Sequence, residues 1–246
     1  MSTLQGKRIL IAGGAGKVGR HLVQAQLAAG ATAIVPSRNP SKLDALEGSI
    51  GADGRARFVR VVGDITNPNE AAQILERAGP LDGAVASLGE VVMAPEILNA
   101  TESDLRKTLD GYVVAHFAAA RALLPVLRER GGGYVTINGP LAFDLRLPGA
   151  GLVSVATAAQ AMLARVLMQD PANASVRINE VVIYSSFGWG NDDANLVSGA
   201  DIGRYVAYLL SDRGAAIRGE TIHLRSRDMI PGEGLAPSEV QASPAK

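Results

Sequence analysis

Three glycines spaced three residues apart lie between an apolar segment and a helical one. Gly13, Gly16 and Gly19 follow the strand-like run at residues 7–11, and residues 18–29 have a helical pattern. Glycine at such a turn permits positive φ and close approach of another group, while the start of the helix presents unpaired N–H groups and the positive end of its dipole. The sequence therefore predicts a site for the pyrophosphate of a dinucleotide here, with a merely tight turn as the alternative.

Size and charge limit the architecture and the partners. With 246 residues, 47% of them hydrophobic, the chain can bury one large core, so we expect a single dinucleotide-binding domain over residues 1–230. Residues 231–246 are rich in Pro, Gly and Ser and are expected to form a weakly held tail. The formal net charge is zero and there is no basic stripe, which argues against nucleic acid and anionic membranes as partners and favours a small-molecule substrate.

Residue types that hold metals or form disulfides are scarce. The chain has no cysteine, which excludes disulfides, thiolate metal sites, iron–sulfur clusters and a cysteine nucleophile. The three histidines, His21, His116 and His223, are not spaced like metal ligands, so no metal site is expected. No apolar run reaches the ~18 residues of a membrane span, and the first seven residues do not resemble a signal peptide. These features together predict a cytoplasmic protein.

Short apolar segments alternate with helical ones along most of the chain. The strand-like segments are residues 8–12, 32–36, 57–62, 83–86, 134–138, 177–183 and 221–224. Strands that alternate with helices of this length form βαβ units and a parallel sheet. We therefore predict an α/β fold of the Rossmann type, a doubly wound parallel sheet of about seven strands with helices on both faces. Ligands of such sheets bind at the carboxyl ends of the strands.

The helical segment from Gly151 to Asp170 is apolar nearly all round. Its main polar exceptions before the end are Gln160 and Arg165. A helix that is apolar on every side must be covered on every side, and the sheet of its own chain covers only one face. We therefore expect a homodimer or homotetramer formed through this helix, the alternative being cover by other parts of the same chain.

Several short motifs follow the glycine turn in a fixed order. They are Ser37-Arg38-Asn39, Gly63-Asp64-Ile65-Thr66, the segment 81–89 ending in Gly89, the segment 131–138, the segment 176–179, the segment 208–212 and Gly219-Glu220. In this order they resemble the short-chain dehydrogenases/reductases, from about residue 7 to residue 224. The resemblance implies a nicotinamide dinucleotide cofactor and oxidoreductase activity.

Arg38 directly follows the second predicted strand, where the adenosine ribose is expected. A guanidinium there can pair with a 2′-phosphate, and residues 35–38 include no acid to hold two ribose hydroxyls, so NADP(H) is expected rather than NAD(H). The resemblance implies that Asp64 accepts a hydrogen bond from the adenine amino group. The alternatives are a solvated Arg38 and an Asp64 that serves only in a turn or helix cap. The expected cofactor-binding residues are Gly13, Gly16, Lys17, Val18, Gly19, Ser37, Arg38, Asp64, Ile65 and Gly89.

The family's acid–base residues are replaced at the matching positions. The resemblance puts Val153 where the family has its Tyr and Thr157 where it has its Lys, while Gly139 and Tyr112 stand at its Ser and Asn positions. Reduction of a carbonyl develops an alkoxide, which needs a proton donor or electrostatic stabilisation. We expect substitutes at the strand ends. The expected catalytic residues are Tyr184 first, then Tyr112 and Asn138.

Further polar residues accompany these three in the strand-end segments. Ser185 follows Tyr184, and His116 lies one helical turn after Tyr112. Asp144 and Arg146 could bind a polar substrate. The alternative roles are packing or a subunit interface for the tyrosines and His116, and a surface ion pair for the last two.

Three functions are compatible with this pattern. The first is an NADP(H)-dependent oxidoreductase with a rearranged active site, acting on a small organic substrate. The second is a catalytically inactive NADP(H)-binding protein with a regulatory or scaffold role. The third is a non-redox enzyme of the same fold, such as a cyclase or dehydratase. Fold analogy favours the first, and the replaced acid–base residues favour the second.

Overall fold

One parallel sheet organises the chain. The computed structural model describes residues 3–89, 93, 96–144, 147–184 and 197–231. Seven strands lie in these residues: β1 (Arg8–Ala12), β2 (Thr32–Ser37), β3 (Phe58–Val62), β4 (Gly83–Ala86), β5 (Gly133–Asn138), β6 (Arg177–Ile183) and β7 (Thr221–Leu224). Their order is β3-β2-β1-β4-β5-β6-β7, and each neighbouring pair is parallel. The predicted doubly wound α/β fold is therefore confirmed.

Helices connect the strands. The α-helices are α1 (Gly19–Ala28), α2 (Pro40–Gly48), α3 (Ala52–Arg55), α4 (Pro68–Ala78), α5 (Glu102–Leu109), α6 (Ala115–Arg128), α7 (Gly151–Gln169) and α8 (Gly199–Leu210). A π-helical turn (Asp110–Val114) joins α5 to α6. Short 3₁₀ turns lie at Ile97–Asn99, Pro140–Ala142, Pro171–Asn173, Asp212–Gly214 and Arg227–Met229.

Local capping chemistry explains where several helices begin. Asn39 and Asn67 each accept two backbone N–H groups of the following turn, and a proline then occupies the first helical position. Thr101 and Ser198 start α5 and α8 with reciprocal capping boxes, closed by an aspartate three residues later. These side chains satisfy N–H groups that have no partner within their helices.

The two faces of the sheet carry separate hydrophobic cores. On one face α1 and α8 pack together over β1 and β5, and their core includes Leu22, Val206 and Leu209. On the other face α4 and α6 cover the sheet, and their core includes Ile74 and Leu123. Because helices cover both faces, the central strands read as continuous apolar runs. In such sheets ligands bind at the carboxyl edge of the strands.

Helix α7 buries one face and exposes another. Its buried side chains include Val153, Thr157 and Gln160, whereas Val155 is 45% exposed, Met162 55% and Val166 56%. It is also long and apolar enough to span a membrane by length and composition, with a mean hydropathy of 1.5, so the expectation that no apolar run reaches this length was wrong. Its polar buried residues bond to β5, which is typical of a core helix of a globular fold.

The sequence-based boundaries differ from the structure by one residue at several ends. Strand β2 continues to Ser37 because Ser37 still pairs with Val62, and β5 already starts at Gly133, which pairs with Gly83 and Arg177. The predicted tail, residues 231–246, lies outside the described residues after position 231.

Candidate active site

The glycine turn after β1 is too crowded for side chains at two of its three predicted positions. Gly13 has a φ of +80°, and a Cβ built on it would overlap the carbonyl oxygen of Ser87. A Cβ on Gly19 would overlap the carbonyl oxygen of Gly13, while one on Gly16 would approach that oxygen to 3.1 Å. The backbone can therefore fold into a compact cradle that only glycine permits.

The cradle leads directly into α1. Val18 precedes the helix, and among the described residues no side chain caps this end. The first N–H groups of a helix lack partners within it and carry the positive end of its dipole. Lys17 is exposed beside this turn and Val18 is half-buried. A turn of this kind has the space and the N–H groups that a pyrophosphate needs, and binding of a dinucleotide here stays a prediction.

Arg38 and Asp64 meet beside the ends of β2 and β3. The Arg38 Nη1 lies 3.7 Å from Asp64 Oδ2, and the arginine side chain is 81% exposed. Ser37 ends β2, and its hydroxyl accepts the N–H of Asn39 at 3.2 Å. A cation this exposed gains little from its own carboxylate partner, since such surface pairs contribute ~0–1 kcal/mol. Its guanidinium therefore remains accessible to a phosphate.

Asp64 also has a structural role in its own turn. Its Oδ1 accepts the backbone N–H of Thr66 at 2.9 Å and the hydroxyl of that residue at 2.7 Å. Its own N–H donates to Glu70 Oε2 at 2.8 Å, and Ile65 is buried beside it. Asp64 therefore stabilises its own turn, which is the alternative role that the sequence suggested. Its Oδ2 still faces Arg38.

An apolar cluster lies where the resemblance places the acid–base residues. Val153 is 1% exposed and Thr157 4% exposed, and the Thr157 hydroxyl donates to the carbonyl oxygen of Val153 at 2.8 Å. Val153 packs in one cluster with Tyr112 and Leu141. This part of the site is therefore walled by apolar surface.

Tyr112 packs against Gly89 within this region. A Cβ on Gly89, whose φ is +109°, would lie 2.6 Å from Tyr112 Cε1, so the ring occupies the space that a side chain would need. Tyr112 is 7% exposed and belongs to the π-helical turn between α5 and α6. Such turns recur at functional sites because they displace one residue from the regular helix face.

Asn138 ends β5, and its side chain hydrogen-bonds to three groups. Its Nδ2 donates to Glu180 Oε1 at 2.9 Å and to the carbonyl oxygen of Thr157 at 3.1 Å, and its Oδ1 accepts the N–H of Gly139 at 2.8 Å. The Thr157 carbonyl oxygen can only accept and the Gly139 N–H can only donate, so the amide orientation is fixed. Both side-chain N–H groups of this predicted catalytic residue are used within the protein.

Glu180 is a fully buried carboxyl group that the sequence analysis missed. Besides Asn138, it accepts the Thr221 hydroxyl at 3.1 Å. Burial raises the pKa of Glu180, while the hydrogen bonds from Asn138 and Thr221 and the positive charge of Arg165 oppose that rise. An acidic residue within an apolar central strand was the available signal, because a buried charge requires partners.

His116 is likewise buried, and both of its ring nitrogens have hydrogen-bond partners. Its Nε2 lies 3.2 Å from the carbonyl oxygen of Leu88, which can only accept, so Nε2 carries the proton and Nδ1 accepts from the Thr136 hydroxyl at 3.0 Å. Gln160 completes the network by donating to the carbonyl oxygen of Ile137 at 2.8 Å. Burial lowers the pKa of His116 to about 4, so the ring is neutral at pH 7.

Tyr184 belongs to a second polar group, which we call the Tyr184 cluster: Asp144, Tyr184, His223 and Arg225. The Tyr184 hydroxyl donates to Asp144 Oδ1 at 2.8 Å and lies 2.9 Å from His223 Nδ1. Arg225 Nη2 donates to Asp144 Oδ2 at 2.8 Å and to the Tyr184 oxygen at 2.9 Å. Burial and the hydrogen bond to Asp144 raise the pKa of Tyr184 to about 12, so the phenol is protonated at neutral pH.

The structure thus sorts the predicted residues into groups. The glycine turn and the Arg38–Asp64 pair lie beside β1 to β3, and Tyr112, Asn138 and Tyr184 lie near the ends of β4, β5 and β6. His223 and Arg225 were not singled out as partners of Tyr184, although strict alternation along β6 and β7 puts their side chains on one face. Ser185 and Arg146 lie outside the described residues.

Solved structures share this fold. A short chain dehydrogenase from Mycobacterium smegmatis superposes with a TM-score of 0.79 at 24% identity, covering 92% of this chain and 94% of that one. One from Bacillus anthracis gives a TM-score of 0.79 at 18% identity, covering 91% and 96%.

Sequence comparison gives relatives of the same kind. An uncharacterised oxidoreductase of Mycobacterium tuberculosis is 31% identical over 166 residues, 66% of this chain and 62% of that protein. A 2-keto-3-deoxy-L-fuconate dehydrogenase of Xanthomonas campestris is 25% identical over 241 residues, 89% of this chain and 78% of that protein. The matched region spans only 62%, 47% and 45% of the length of the first three relatives.

The family model for short chain dehydrogenases matches residues 7–185, which include the glycine turn, Asp64 and Asn138. These residues make up most of the chain and contain six of the strands in the described sheet. The chain therefore belongs to the short-chain dehydrogenase family, a family of oxidoreductases that use a nicotinamide cofactor.

Proposed function

We propose that this protein is an NADP(H)-dependent oxidoreductase with a rearranged active site that acts on a small organic substrate. The observation that carries the proposal is the exposed Arg38 guanidinium beside Asp64, at the strand ends next to the glycine cradle. The cradle would hold the pyrophosphate, and Arg38 would hold a 2′-phosphate. The bound nicotinamide supplies or accepts a hydride. A cytoplasmic location remains part of this proposal.

Arg38→Ala tests the cofactor preference. We expect the wild type to bind NADPH at least ~10-fold more tightly than NADH, because a charge-assisted pair with the 2′-phosphate contributes about 1.5–3 kcal/mol. The variant should lose this preference while binding NADH as before. Fluorescence titration with both nucleotides measures the ratio. Arg60→Ala, which removes another exposed guanidinium that pairs with acids, is the matched control and should keep the preference.

The contacts favour Tyr112 over Tyr184 as the proposed proton donor. Tyr112 packs in one cluster with Val153, the position where the resemblance places the family's Tyr, and against Gly89, whereas Tyr184 lies in the separate Tyr184 cluster after β6. General acid catalysis contributes ~10²–10⁴-fold, and Val153 and Thr157 stand where the resemblance places the family's Tyr and Lys. We therefore expect Tyr112 to be a weaker acid catalyst and the wild type to reduce ordinary ketones slowly. Substrates that delocalise charge, such as conjugated enones, should react faster.

Tyr112→Phe and Tyr184→Phe form a matched pair of variants for this assignment. We expect Tyr112→Phe to lower kcat by ~10²-fold or more on the best substrate of an NADPH-oxidation screen, because it removes the donor but keeps the ring that packs on Gly89. Tyr184→Phe should leave kcat within a few-fold. The reverse pattern would identify Tyr184 as the donor.

The burial of Val153 and Thr157 favours a second candidate function, in which the protein binds NADP(H) without catalysing a reaction. Tyr and Lys at these positions would have to enter a filled cluster, so Val153→Tyr with Thr157→Lys should not create an ordinary carbonyl reductase. Tight NADPH binding without turnover on any substrate of the screen would support this candidate.

We propose further that the protein is a homodimer or homotetramer that covers the outer face of α7. Val155, Met162 and Val166 expose apolar surface on this helix, and Val114 and Phe117 do so on the neighbouring helical segment. The π-helical turn that contains Val114 packs against α7. Apolar surface on adjacent helices is typical of subunit contacts.

The double variant Met162→Asp/Val166→Asp should dissociate this oligomer, because two charges would be buried without partners. Light scattering at micromolar concentration should show an oligomeric wild type and a monomeric variant. Val62→Asp, at an equally exposed apolar residue on β3, should stay oligomeric. A monomeric wild type would contradict the proposed interface.

A further inference from the structure

The carboxylate of Asp144 is held by donors that come from other parts of the chain. Oδ1 accepts the Tyr184 hydroxyl and Oδ2 accepts Arg225 Nη2, both at 2.8 Å. Tyr184 follows β6 and Arg225 follows β7, whereas Asp144 lies in the segment after β5. We propose that Tyr184 and Arg225 form a binding site for the carboxylate group of a small-molecule ligand, and that Asp144 occupies this site as an internal competitor.

The donors are held in place without Asp144. The Arg225 Cζ lies 3.9 Å from the centroid of the Tyr184 ring, and its Nη2 also donates to the Tyr184 oxygen. Because the Tyr184 proton goes to Asp144, His223 Nδ1 donates to the Tyr184 oxygen at 2.9 Å. Phe143 packs edge-on against the His223 ring, with 4.7 Å between centroids. The guanidinium and the hydroxyl thus present a fixed pair of donors.

The present occupant is replaceable. The side chains of Arg225 and Asp144 are 49% and 51% exposed, and an ion pair this exposed holds its partners only weakly. A ligand carboxylate would make the same two hydrogen bonds. Arg165 is close enough to act electrostatically on His223, so displacement of Asp144 leaves two cations near the vacated donors. The local charge then favours an anion.

The position of the site indicates the role of its ligand. In doubly wound sheets ligands bind at the carboxyl edge, and the Tyr184 cluster lies at that edge, on the side of β6 and β7 away from the Arg38–Asp64 pair. We therefore take the ligand to be the substrate, a small organic acid anchored by its carboxylate. This last step rests on the proposed oxidoreductase function, whereas binding of a carboxylate does not.

Direct binding of a fluorinated acid tests the site without any activity assay. The probe is 4-fluorobenzoate observed by ¹⁹F NMR, and 4-fluorobenzamide serves as the uncharged control of the same shape. Removal of the competing carboxylate in Asp144→Ala should tighten benzoate binding about 2- to 6-fold, because an exposed ion pair competes only weakly for the two donors. Asp144→Asn keeps the size of the side chain and should tighten binding in the same direction.

Two further variants complete the test. Arg225→Gln added to Asp144→Ala should return benzoate binding to the wild-type level or below, since it removes the guanidinium. Asp44→Ala removes an exposed aspartate that pairs with Arg60 elsewhere on the surface, and it should leave benzoate binding unchanged. Urea midpoints of all variants should stay close to that of the wild type, because both altered pairs are exposed.

Three outcomes would overturn the proposal. These are equal benzoate affinity of Asp144→Ala, Asp144→Asn and the wild type, equal binding of the benzamide, and retention of tight benzoate binding after Arg225→Gln. NADPH titration of the same variants separates this site from the proposed function. If benzoate affinity does not change among the variants while NADPH binds normally, only the carboxylate site is overturned. If benzoate affinity changes as expected but no NADPH binds, only the proposed function is overturned.

Discussion

Gly13→Ala is expected to abolish measurable NADPH binding and to destabilise the fold. The methyl group would overlap the Ser87 carbonyl oxygen, which belongs to the backbone and cannot rotate away. Positive φ adds about 1–2 kcal/mol of strain for a residue with a Cβ, and overpacking adds about 1–3 kcal/mol. Relief of the overlap must shift the turn that the pyrophosphate requires, so we expect NADPH affinity to fall by at least ~100-fold.

The variant Gly6→Ala separates the strain of a positive φ from the steric overlap of the added methyl group. Gly6 has a φ of +74°, close to that of Gly13, but a Cβ there meets no atom within 4 Å among the described residues. It should therefore show only the φ strain of about 1–2 kcal/mol in urea unfolding, with unchanged NADPH affinity. If Gly13→Ala were to resemble Gly6→Ala in both measurements, the turn would not be the crowded cradle described above.

Asn138→Ala should have the second largest effect, a loss of about 3–5 kcal/mol in the free energy of unfolding. The change removes hydrogen bonds to three groups and leaves the Glu180 carboxyl without one of its two hydrogen-bond donors. Each buried group left without its partner costs about 1–3 kcal/mol, and an ionisable group costs more, because the group stays desolvated. Asn67→Ala, which removes an exposed helix cap, should cost only about 1 kcal/mol.

The loss in Asn138→Ala should grow with pH. Burial raises the pKa of Glu180 above its ordinary value, so the folded state binds its proton more tightly than the unfolded state. Stability is then lost as pH rises from the ordinary carboxyl range through the folded pKa. Without Asn138 the carboxylate is less stabilised, so this loss becomes larger. Glu180→Gln in the same background should remove the additional pH dependence, as urea unfolding between pH 5 and pH 8 can show.

A small loss of stability together with a large loss of turnover in Asn138→Ala would contradict this structural role. It would instead restore Asn138 as a catalytic residue, the role expected from its position after β5.

The sheet and the crowded glycine turn can be predicted from the sequence because both depend on local patterns. The alternation of apolar and helical segments identified all seven strands, with every boundary correct to within one residue. The spacing of Gly13, Gly16 and Gly19 identified the crowded turn. Backbone crowding follows from short-range geometry, so three glycines were a sufficient signal.

The polar contacts of the site are not readable in the same way. Tyr184 and Arg225 are 41 positions apart, and Asp144 is 40 positions from Tyr184, so their meeting depends on the register of β6 and β7. Asn138 was correctly placed at a strand end, but one of its side-chain hydrogen bonds goes to Glu180, which is 42 positions away in the sequence. A strand pattern predicts which face a residue occupies without predicting its partner across the sheet.

The π-helical turn at Asp110–Val114 links the site to the outer surface of the protein. The same turn carries Tyr112, which packs on Gly89, and Val114, which is exposed, and it contacts α7. Regular α-helical winding of the same residues would rotate everything after Val114 by about 100°, because the π turn accommodates one extra residue and an α-helix has 3.6 residues per turn. Phe117 and His116 would then change faces together. The pocket wall and the apolar outer surface therefore cannot evolve independently, because one extra residue sets the phase of both.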